Sequence, residues 1–177
     1  VEEMYPEGTD YNKKVFDLGG LDRYGEGPRR PGHFNGMAQV VTRLFDIVRP
    51  DRAYFGEKDF QQLAIVEYFV RALGYDIEIV RCPIARGADG LALSSRNKLL
   101  SPEQREAAPH IYRSILKARD MVGRMPVAEA IKEVVSLIDA DSRLRTEYVE
   151  IINSLTLRPV TDWNEAEHLR LTCAVYA

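Results

Sequence analysis

The sequence feature that most constrains the fold is a polar turn that separates a strand pattern from a helical pattern. An apolar run occupies residues 53–55, and apolar residues then recur every three or four positions over residues 63–73. The turn reads Gly-Glu-Lys-Asp over residues 56–59, which puts Lys58 and Asp59 at the N-terminus of the predicted helix. Open α/β sheets bind ligands at the carboxyl ends of their strands, and helix N-termini favour anions. The turn is therefore a candidate anion-binding site.

The same turn has a purely structural interpretation. Asp59 suits the N-cap position of the helix, and Gln62 stands three residues later, where a capping box would be completed. Lys58 would then be a solvated turn residue. The turn by itself favours neither interpretation.

The order of the predicted elements around the turn indicates a doubly wound α/β sheet. Residues 1–12 are polar and turn-rich, and residues 14–18 have the pattern of a short strand. A helical pattern follows over residues 34–48, the helix after the turn ends at Gly74 as its C′ residue, and a β-branched strand follows over residues 77–82. Strands that alternate with helices in this way are predicted to be parallel and joined by crossover helices.

Two polar loops carry clusters of hydrogen-bond donors. Residues 23–33 are dense in glycine, proline and arginine, which predicts an irregular loop that either contacts an anion or a partner or is simply solvated. Residues 85–97 contain two glycines, adjacent serines and arginines, a group of donors suited to phosphate oxygens and also common in ordinary loops. The sequence has no Walker A motif and no Gly-x-Gly-x-x-Gly motif, which excludes a P-loop or a dinucleotide fingerprint.

The second half of the chain has an α+β pattern without candidate chemistry. Ser101, Pro102 and Gln104 form a strong helix start, and we expect this helix to run to about residue 122. Trp163 falls in a polar connection, where we expect an apolar packing role. The other predicted elements are a helix over residues 126–138 and strands over residues 148–152 and 169–176. These patterns predict a domain boundary near residue 97.

Composition excludes several classes of protein. The chain has 177 residues and a formal net charge of −3, so it lacks the basic footprint of a protein that binds nucleic acid. It has no apolar run long enough to span a bilayer and no secretory signal pattern, so we expect a cytoplasmic protein without a membrane partner. Cys82 and Cys173 are expected to be buried free thiols, and the three histidines lack zinc-site spacing, so no metal ligand is predicted.

Three sequence motifs carry a resemblance to a known family. They are Arg-Pro-Gly-His-Phe at residues 30–34, Gly-Glu-Lys-Asp-Phe-Gln-Gln-Leu at residues 56–63 and Asp-Gly-Leu-Ala-Leu-Ser-Ser-Arg-Asn at residues 89–97. In their order and spacing they resemble the pantoate–β-alanine ligase family, and the resemblance extends over essentially the whole chain. It implies the rear part of a nucleotidyltransferase-type Rossmann domain, a parallel sheet with flanking helices, over residues 1–97. A small α+β C-terminal domain would follow over residues 98–177.

The resemblance also implies a reaction. In this family the pantoate carboxylate attacks the α-phosphate of ATP, pyrophosphate leaves, and the amine of β-alanine then attacks the pantoyl adenylate to give pantothenate and AMP. The resemblance therefore implies ATP and Mg²⁺ as cofactors, pantoate and β-alanine as substrates, and a homodimer.

The matching motifs imply roles for particular residues. Lys58 and Arg96 are expected to neutralise phosphate charge and are the predicted catalytic residues. The residues expected to bind ATP are Gly56, Glu57, Lys58, Asp59, Ala85, Leu93, Ser94, Ser95 and Arg96. The residues expected to line the pantoate pocket are Gln62, Val40, Val41 and Phe55.

One family motif does not occur in the sequence. The family's His-x-Gly-His pair is not found among the 177 residues, since His33 belongs to the Arg-Pro-Gly-His-Phe motif. We therefore expect this chain to be a C-terminal portion of such a protein and to be inactive by itself. Two alternatives remain open. The chain would be a non-catalytic dimerisation or lid module, or it would come from another adenylyl or cytidylyl transferase of the same fold, which the pantoate-side glutamine disfavours.

Overall fold

A parallel pair of strands lies at the centre of the first part of the chain. In the computed structural model, β1 (Arg52–Gly56) pairs in parallel with β2 (Glu78–Cys82), and α3 (Phe60–Ala72) forms the crossover between them. The register brings Gly56 opposite Cys82 at the carboxyl ends of both strands. The predicted strand–helix–strand unit is therefore confirmed, together with its parallel pairing.

The structure describes residues 4–5 and 13–177. Most of the turn-rich segment predicted over residues 1–12 therefore lies outside the described residues. None of the helices in the described part of the chain is long and apolar enough to cross a membrane.

The core of the first unit forms between α2 (His33–Val48) and α3. Phe34, Ala38 and Phe45 lie at helical spacing on α2 and are buried, and the rings of Phe45 and Phe69 lie 6.5 Å apart. Burying one such aromatic side chain stabilises the fold by about 1.5–3 kcal/mol relative to its exposure to water. The predicted helical pattern over residues 34–48 is confirmed.

The segment 14–18 is not a strand, contrary to its pattern. Its backbone instead bonds to side chains of α2. The N–H of Phe16 donates to Asn35 Oδ1 at 2.9 Å, and the carbonyl of Lys14 accepts from Gln39 Nε2 at 2.9 Å. Side-chain amides therefore take the place of a neighbouring strand, while Phe16 is buried in the core of the first unit.

The loop predicted over residues 23–33 is more regular than expected, because it contains a short helix, α1 (Glu26–Arg29). Gly27 makes this turn possible. A Cβ atom on Gly27 would lie 1.7 Å from the backbone carbonyl oxygen of Asp22, so only glycine permits so close an approach.

Two helices replace the single helix predicted after Ser101. α4 (Pro102–Ala107) begins with a capping box, as predicted, in which Ser101 and Gln104 each accept a backbone N–H of the other. α5 (Pro109–Met121) begins at Pro109, which has no N–H to continue the hydrogen-bond ladder of α4. The helix expected to run to about residue 122 is therefore interrupted.

An antiparallel strand pair packs against a helix in the second unit. β3 (Arg145–Asn153) pairs with β4 (Leu169–Tyr176), and the apolar side of α6 (Val127–Asp139) is buried against β3. Trp163 packs into the same core, and its Nε1 donates to the carbonyl of Met125 at 2.7 Å. The predicted helix, both predicted strands and the packing role of Trp163 are all found.

The chain divides into two compact units, Val1–Pro83 and Ile84–Ala177. The domain boundary near residue 97 stays a prediction. The loop 85–97 belongs to the second unit because its side chains attach it to the helices that follow. Arg105 on α4, for example, forms an ion pair with Asp89 of the loop at 2.6 Å.

Candidate functional site

The predicted anion site lies where β1 leads into α3. Gly56 ends β1, Glu57–Asp59 form one 3-10 turn, and α3 starts at the next residue. Because Gly56 is in register with Cys82, the turn lies at the carboxyl end of both parallel strands. Lys58 and Asp59 are exposed, with Lys58 Nζ 3.3 Å from Asp59 Oδ1. Both charged groups are therefore accessible to a ligand.

The structural alternative for this turn, a side-chain cap, is not found. Asp59 occupies the N-cap position of α3, but its side chain accepts no hydrogen bond from the helix, and no capping box forms with Gln62. The carboxylate of Asp59 is therefore not used to cap the helix. The helix dipole and the N–H groups of a first helical turn favour an anion at this position.

The two adjacent glutamines of α3 have different environments. Gln62 is half-buried, and its amide has no hydrogen-bond partner among the described residues. Gln61 makes three hydrogen bonds to the backbone of residues 21–26. Gln62 is therefore the amide that can serve a ligand, whereas Gln61, which sequence reasoning missed, is committed to the protein. The sequence does not distinguish the two glutamines, because neighbouring positions in the first turn of a helix differ only in the direction in which their side chains leave the helix.

The three apolar residues expected beside Gln62 differ in burial. Val41 and Phe55 pack against the core of the first unit, where the rings of Phe45 and Phe55 make an edge-on contact at 6.5 Å. Val40 is 40% exposed and lies outside that core cluster. Val41 and Phe55 thus have a structural role of their own, and Val40 offers the more accessible apolar surface.

The loop of residues 85–97 is held in one conformation by its own hydrogen bonds. The N–H of Leu93 donates to the carbonyl of Ala85 at 2.8 Å, and Asn97 Nδ2 donates to the carbonyl of Ala92 at 3.0 Å. These bonds bring Ala85, which is exposed, beside the start of the Leu-Ser-Ser-Arg sequence. The loop therefore has its own network of hydrogen bonds.

A surface cavity of about 600 Å³ lies in the second unit beside this loop. Its lining residues are Leu93, Ser94, Ser95, Asn97, Lys98 and Arg105. Three residues predicted from the sequence thus share one cavity. Arg96 does not line it; its side chain is exposed, and its backbone N–H donates to Ser94 Oγ at 3.2 Å.

The two cations that line the cavity were not predicted. Lys98 could have been found from the sequence, because it follows Arg96 by two positions in the same loop. Arg105 gives no local signal, since it belongs to α4 and reaches the loop only through the fold. Its hydrogen bond to Asp89, together with the N–H of Leu91, holds the pKa of that carboxyl below its usual range.

The predicted site residues fall in both compact units. Lys58, Asp59 and Gln62 belong to the first unit, whereas Ala85 and residues 93–96 belong to the second. Among the described residues, no three histidine, cysteine, aspartate or glutamate side chains come together as a metal site. Each unit thus contributes a separate cationic arrangement suited to anions, at the Lys58 turn and at the cavity.

Comparison with known proteins decides the family. The family model of pantoate-beta-alanine ligase matches residues 1–177 of this chain. The chain belongs to the pantoate–β-alanine ligase family.

Relatives within the family are substantially longer than this chain. The pantothenate synthetase of Bacteroides fragilis strain YCH46 is 50% identical over 169 residues, a match that covers 96% of this chain and 59% of that protein. The pantothenate synthetase of Thermus thermophilus is 49% identical over 164 residues, covering 92% of this chain and 59% of that protein. The chain thus spans 59% of the length of these relatives.

Solved structures of family members have the same fold. The crystal structure of pantothenate synthetase from Thermus thermophilus matches with a TM-score of 0.83 at 49% identity, covering 92% of this chain and 59% of that one. The pantoate-beta-alanine ligase of Francisella tularensis, complexed with Beta-gamma ATP and Beta-alanine, matches with a TM-score of 0.72 at 29% identity, covering 99% of this chain and 57% of that one. These matches confirm the α/β fold with a parallel sheet and flanking helices.

Proposed function

We propose that the protein containing this chain condenses pantoate with β-alanine in an ATP-dependent reaction. Membership of the family carries the proposal, supported by an exposed lysine at the carboxyl end of two parallel strands. In the first step a carboxylate oxygen of pantoate bonds to the α-phosphorus of ATP and pyrophosphate leaves. In the second step the amine of β-alanine bonds to the acyl carbon of the pantoyl adenylate, AMP leaves, and pantothenate forms.

Positive charge is the first requirement of this chemistry, because the first step brings a carboxylate up to a polyanion. Lys58 supplies that charge at the turn, next to the N-terminus of α3. Asp59 lies 3.3 Å from the ammonium group, where it orients the lysine and can accept from a ribose hydroxyl or the adenine edge. Gly56 and Glu57 present the adjoining backbone to the nucleotide.

The loop of the second unit supplies the second group of phosphate donors in this proposal. Ser94 and Ser95 offer hydroxyl groups at the cavity, where Lys98 and Arg105 add positive charge. Arg96 is exposed on the same loop and is the predicted catalytic cation of this unit. Leu93 and Ala85 provide apolar and backbone contacts to the nucleotide.

Pantoate is assigned to the amide of Gln62 and the apolar residues of the first unit. The unpartnered amide of Gln62 can both donate to a carboxylate and accept from a hydroxyl. The exposed Val40 and the more buried Val41 and Phe55 offer apolar surface that suits the geminal methyl groups of pantoate. Apolar surface also excludes water, which protects an acyl adenylate from hydrolysis.

Magnesium is proposed to arrive with ATP. Mg²⁺ is commonly held by substrate phosphates together with one or two protein carboxylates and not by a complete protein cage. Among the described residues, no three histidine, cysteine, aspartate or glutamate side chains come together as such a cage. We also propose a homodimer, with residues 1–97 as part of a nucleotide-binding domain and residues 98–177 as a small C-terminal domain.

The test of this function is an AMP-release assay on the protein that contains this chain, with pantoate, β-alanine and MgATP. Lys58→Ala is compared with Lys132→Ala, an exposed lysine on α6 outside the proposed site. We expect AMP release that needs both substrates, a loss of about a hundredfold or more for Lys58→Ala, and an unchanged rate for Lys132→Ala. No AMP release, or a Lys58→Ala rate equal to wild type, would refute the assignment.

The alternative, a non-catalytic module, is tested on the chain itself. Calorimetric titration with MgATP distinguishes a nucleotide-binding chain from a non-catalytic module. A nucleotide site predicts a dissociation constant in the micromolar range or below, which corresponds to a binding free energy on the order of 8 kcal/mol. Absence of binding would favour the module.

A further inference from the structure

The amide of Gln61 connects two segments that are far apart in the sequence. Its Nε2 donates to the carbonyl oxygens of Leu21 and Tyr24, each at 2.8 Å, and its Oε1 accepts the N–H of Glu26 at 3.0 Å. One half-buried side chain therefore uses both of its amide protons and its carbonyl oxygen on a single neighbouring turn.

The turn that Gln61 holds is closely packed and carries arginines. The close approach of Gly27 to the Asp22 carbonyl oxygen leaves no room for a Cβ atom there. Arg29 Nη1 donates to the carbonyl of Gly25, and Arg30 Nη1 lies 3.9 Å from Glu26 Oε2. The guanidinium groups of this segment are therefore attached to a compact turn whose position depends on the amide.

The place of Gln61 in α3 gives the connection its significance. It lies in the first turn of the helix, two residues after Asp59 and immediately before Gln62. A displacement of the arginine-bearing turn relative to α3 would therefore change the electrostatic field at the Lys58 turn itself. Charges that lie within about 10 Å of one another are only partly screened at ordinary ionic strength.

We propose that Gln61 is a positioning residue that fixes the arginine-bearing turn of residues 21–30 beside the nucleotide-binding turn of residues 56–59. This inference rests on the proposed function, since it takes ATP as the anion whose binding depends on the hydrogen bonds between Gln61 and the turn of residues 21–30. Gln61 itself does not touch the substrate; it acts through the turn that it holds.

Gln61→Glu tests the two donated bonds with little change in size, because a carboxylate faces the Leu21 and Tyr24 carbonyl oxygens in place of an NH₂ group. The matched control is Gln39→Glu, which removes the donation from α2 to the Lys14 carbonyl at 2.9 Å. Gln61→Met removes the same bonds without adding a negative charge and is measured alongside Gln61→Glu, so that repulsion of ATP by the new carboxylate is separated from the loss of the bonds. Circular dichroism checks that both variants fold.

In steady-state kinetics on the protein that contains this chain, we expect Gln61→Glu to raise KM for ATP about tenfold and to leave KM for β-alanine unchanged. Gln39→Glu should change neither constant. A purely structural role would lower the apparent kcat through loss of folded protein at unchanged KM. An unchanged KM for ATP in folded Gln61→Glu or Gln61→Met would therefore overturn the proposal.

A second measurement does not depend on turnover. Trypsin can cleave after Arg23 and Arg29, whereas Arg30 is followed by proline. We expect these cleavages to be several-fold faster in Gln61→Glu than in wild type or Gln39→Glu, because the turn is released. Equal cleavage rates would refute the proposal that Gln61 holds the turn of residues 21–30, even if the enzyme is active. If wild type releases no AMP, only the proposed function is refuted. Faster cleavage of Gln61→Glu would still show that Gln61 holds the turn of residues 21–30.

Discussion

Arg105 Nη2 lies 2.6 Å from Asp89 Oδ2, and this ion pair joins α4 to the loop that carries the Leu-Ser-Ser-Arg sequence. The other oxygen of the same carboxylate accepts the N–H of Leu91 at 3.1 Å. One aspartate thus shapes the turn of its own loop and anchors that loop to a helix. Since Arg105 also lines the cavity, the pair determines where a cation is placed beside Ser94 and Ser95.

We predict that Asp89→Asn weakens the binding of MgATP by roughly three- to tenfold. Asparagine keeps an acceptor for the Leu91 N–H but loses the negative charge that holds Arg105. A hydrogen bond to a charged group is stronger than a neutral one by about 1 kcal/mol, which corresponds to the predicted change in the dissociation constant. Calorimetric titration measures the effect. Glu78→Gln is the control, because it breaks the Arg52–Glu78 pair, also at 2.6 Å, away from the cavity. A dissociation constant equal to wild type in Asp89→Asn would show that the pair does not organise the site.

Gln62→Leu is predicted to act on pantoate and to leave ATP binding unchanged. The native amide has no partner among the described residues, so its removal leaves no protein group unsatisfied and should cost little stability. Loss of its bond to a carboxylate should raise KM for pantoate by about ten- to a hundredfold. Steady-state kinetics with each substrate varied in turn is the measurement. A rise in KM for ATP of the same size would contradict this division of roles.

Cys173 is predicted to be unreactive in the folded protein. Burial raises the pKa of its thiol to about 11, so very little thiolate is present at pH 8. We expect alkylation by iodoacetamide to be about a hundredfold slower than for an exposed thiol, and to recover when the protein is unfolded in guanidinium. Mass spectrometry of the alkylated peptide follows both rates. Equal rates in the folded and unfolded states would refute the prediction.

The contribution of Asp141 to stability is predicted to disappear in acid. Its hydrogen bonds with Arg143, whose Nη2 lies 2.8 Å from Asp141 Oδ2, lower the pKa of Asp141 to about 2. Because this pKa lies below the unfolded value of about 3.9, the carboxylate stabilises the folded state above about pH 4. That stabilisation is lost as the pH falls toward about 2.

Thermal unfolding of Asp141→Asn across the pH range tests this. The variant should have a lower Tm than wild type at pH 6, and the difference should shrink as the pH falls from about 4 to about 2. Asp120→Asn, an exposed aspartate on α5, is the control and should show no such trend. A difference in Tm that is independent of pH would contradict the assignment to the Asp141–Arg143 pair.

Local patterns predicted much of the fold because their causes are local. The parallel strand–helix–strand unit follows from apolar spacing around the turn at Lys58. The helix end at Gly74, where φ is 70°, and the capping box between Ser101 and Gln104 follow from single residue types. The interruption at Pro109 has an equally local cause, the missing N–H, although the helical pattern continues on both sides of it.

The sequence by itself determined the family, the order of the elements and the positions of Lys58 and Asp59 at the carboxyl end of a parallel strand. Only the tertiary structure decided that Gln61 serves the protein while Gln62 remains available, and that Arg105 joins the cavity. It also decided that side-chain amides, and not a neighbouring strand, hold residues 14–18. The physical reason is common to all three. Each outcome depends on whether a partner is present on another segment, and spacing along one segment carries no information about that.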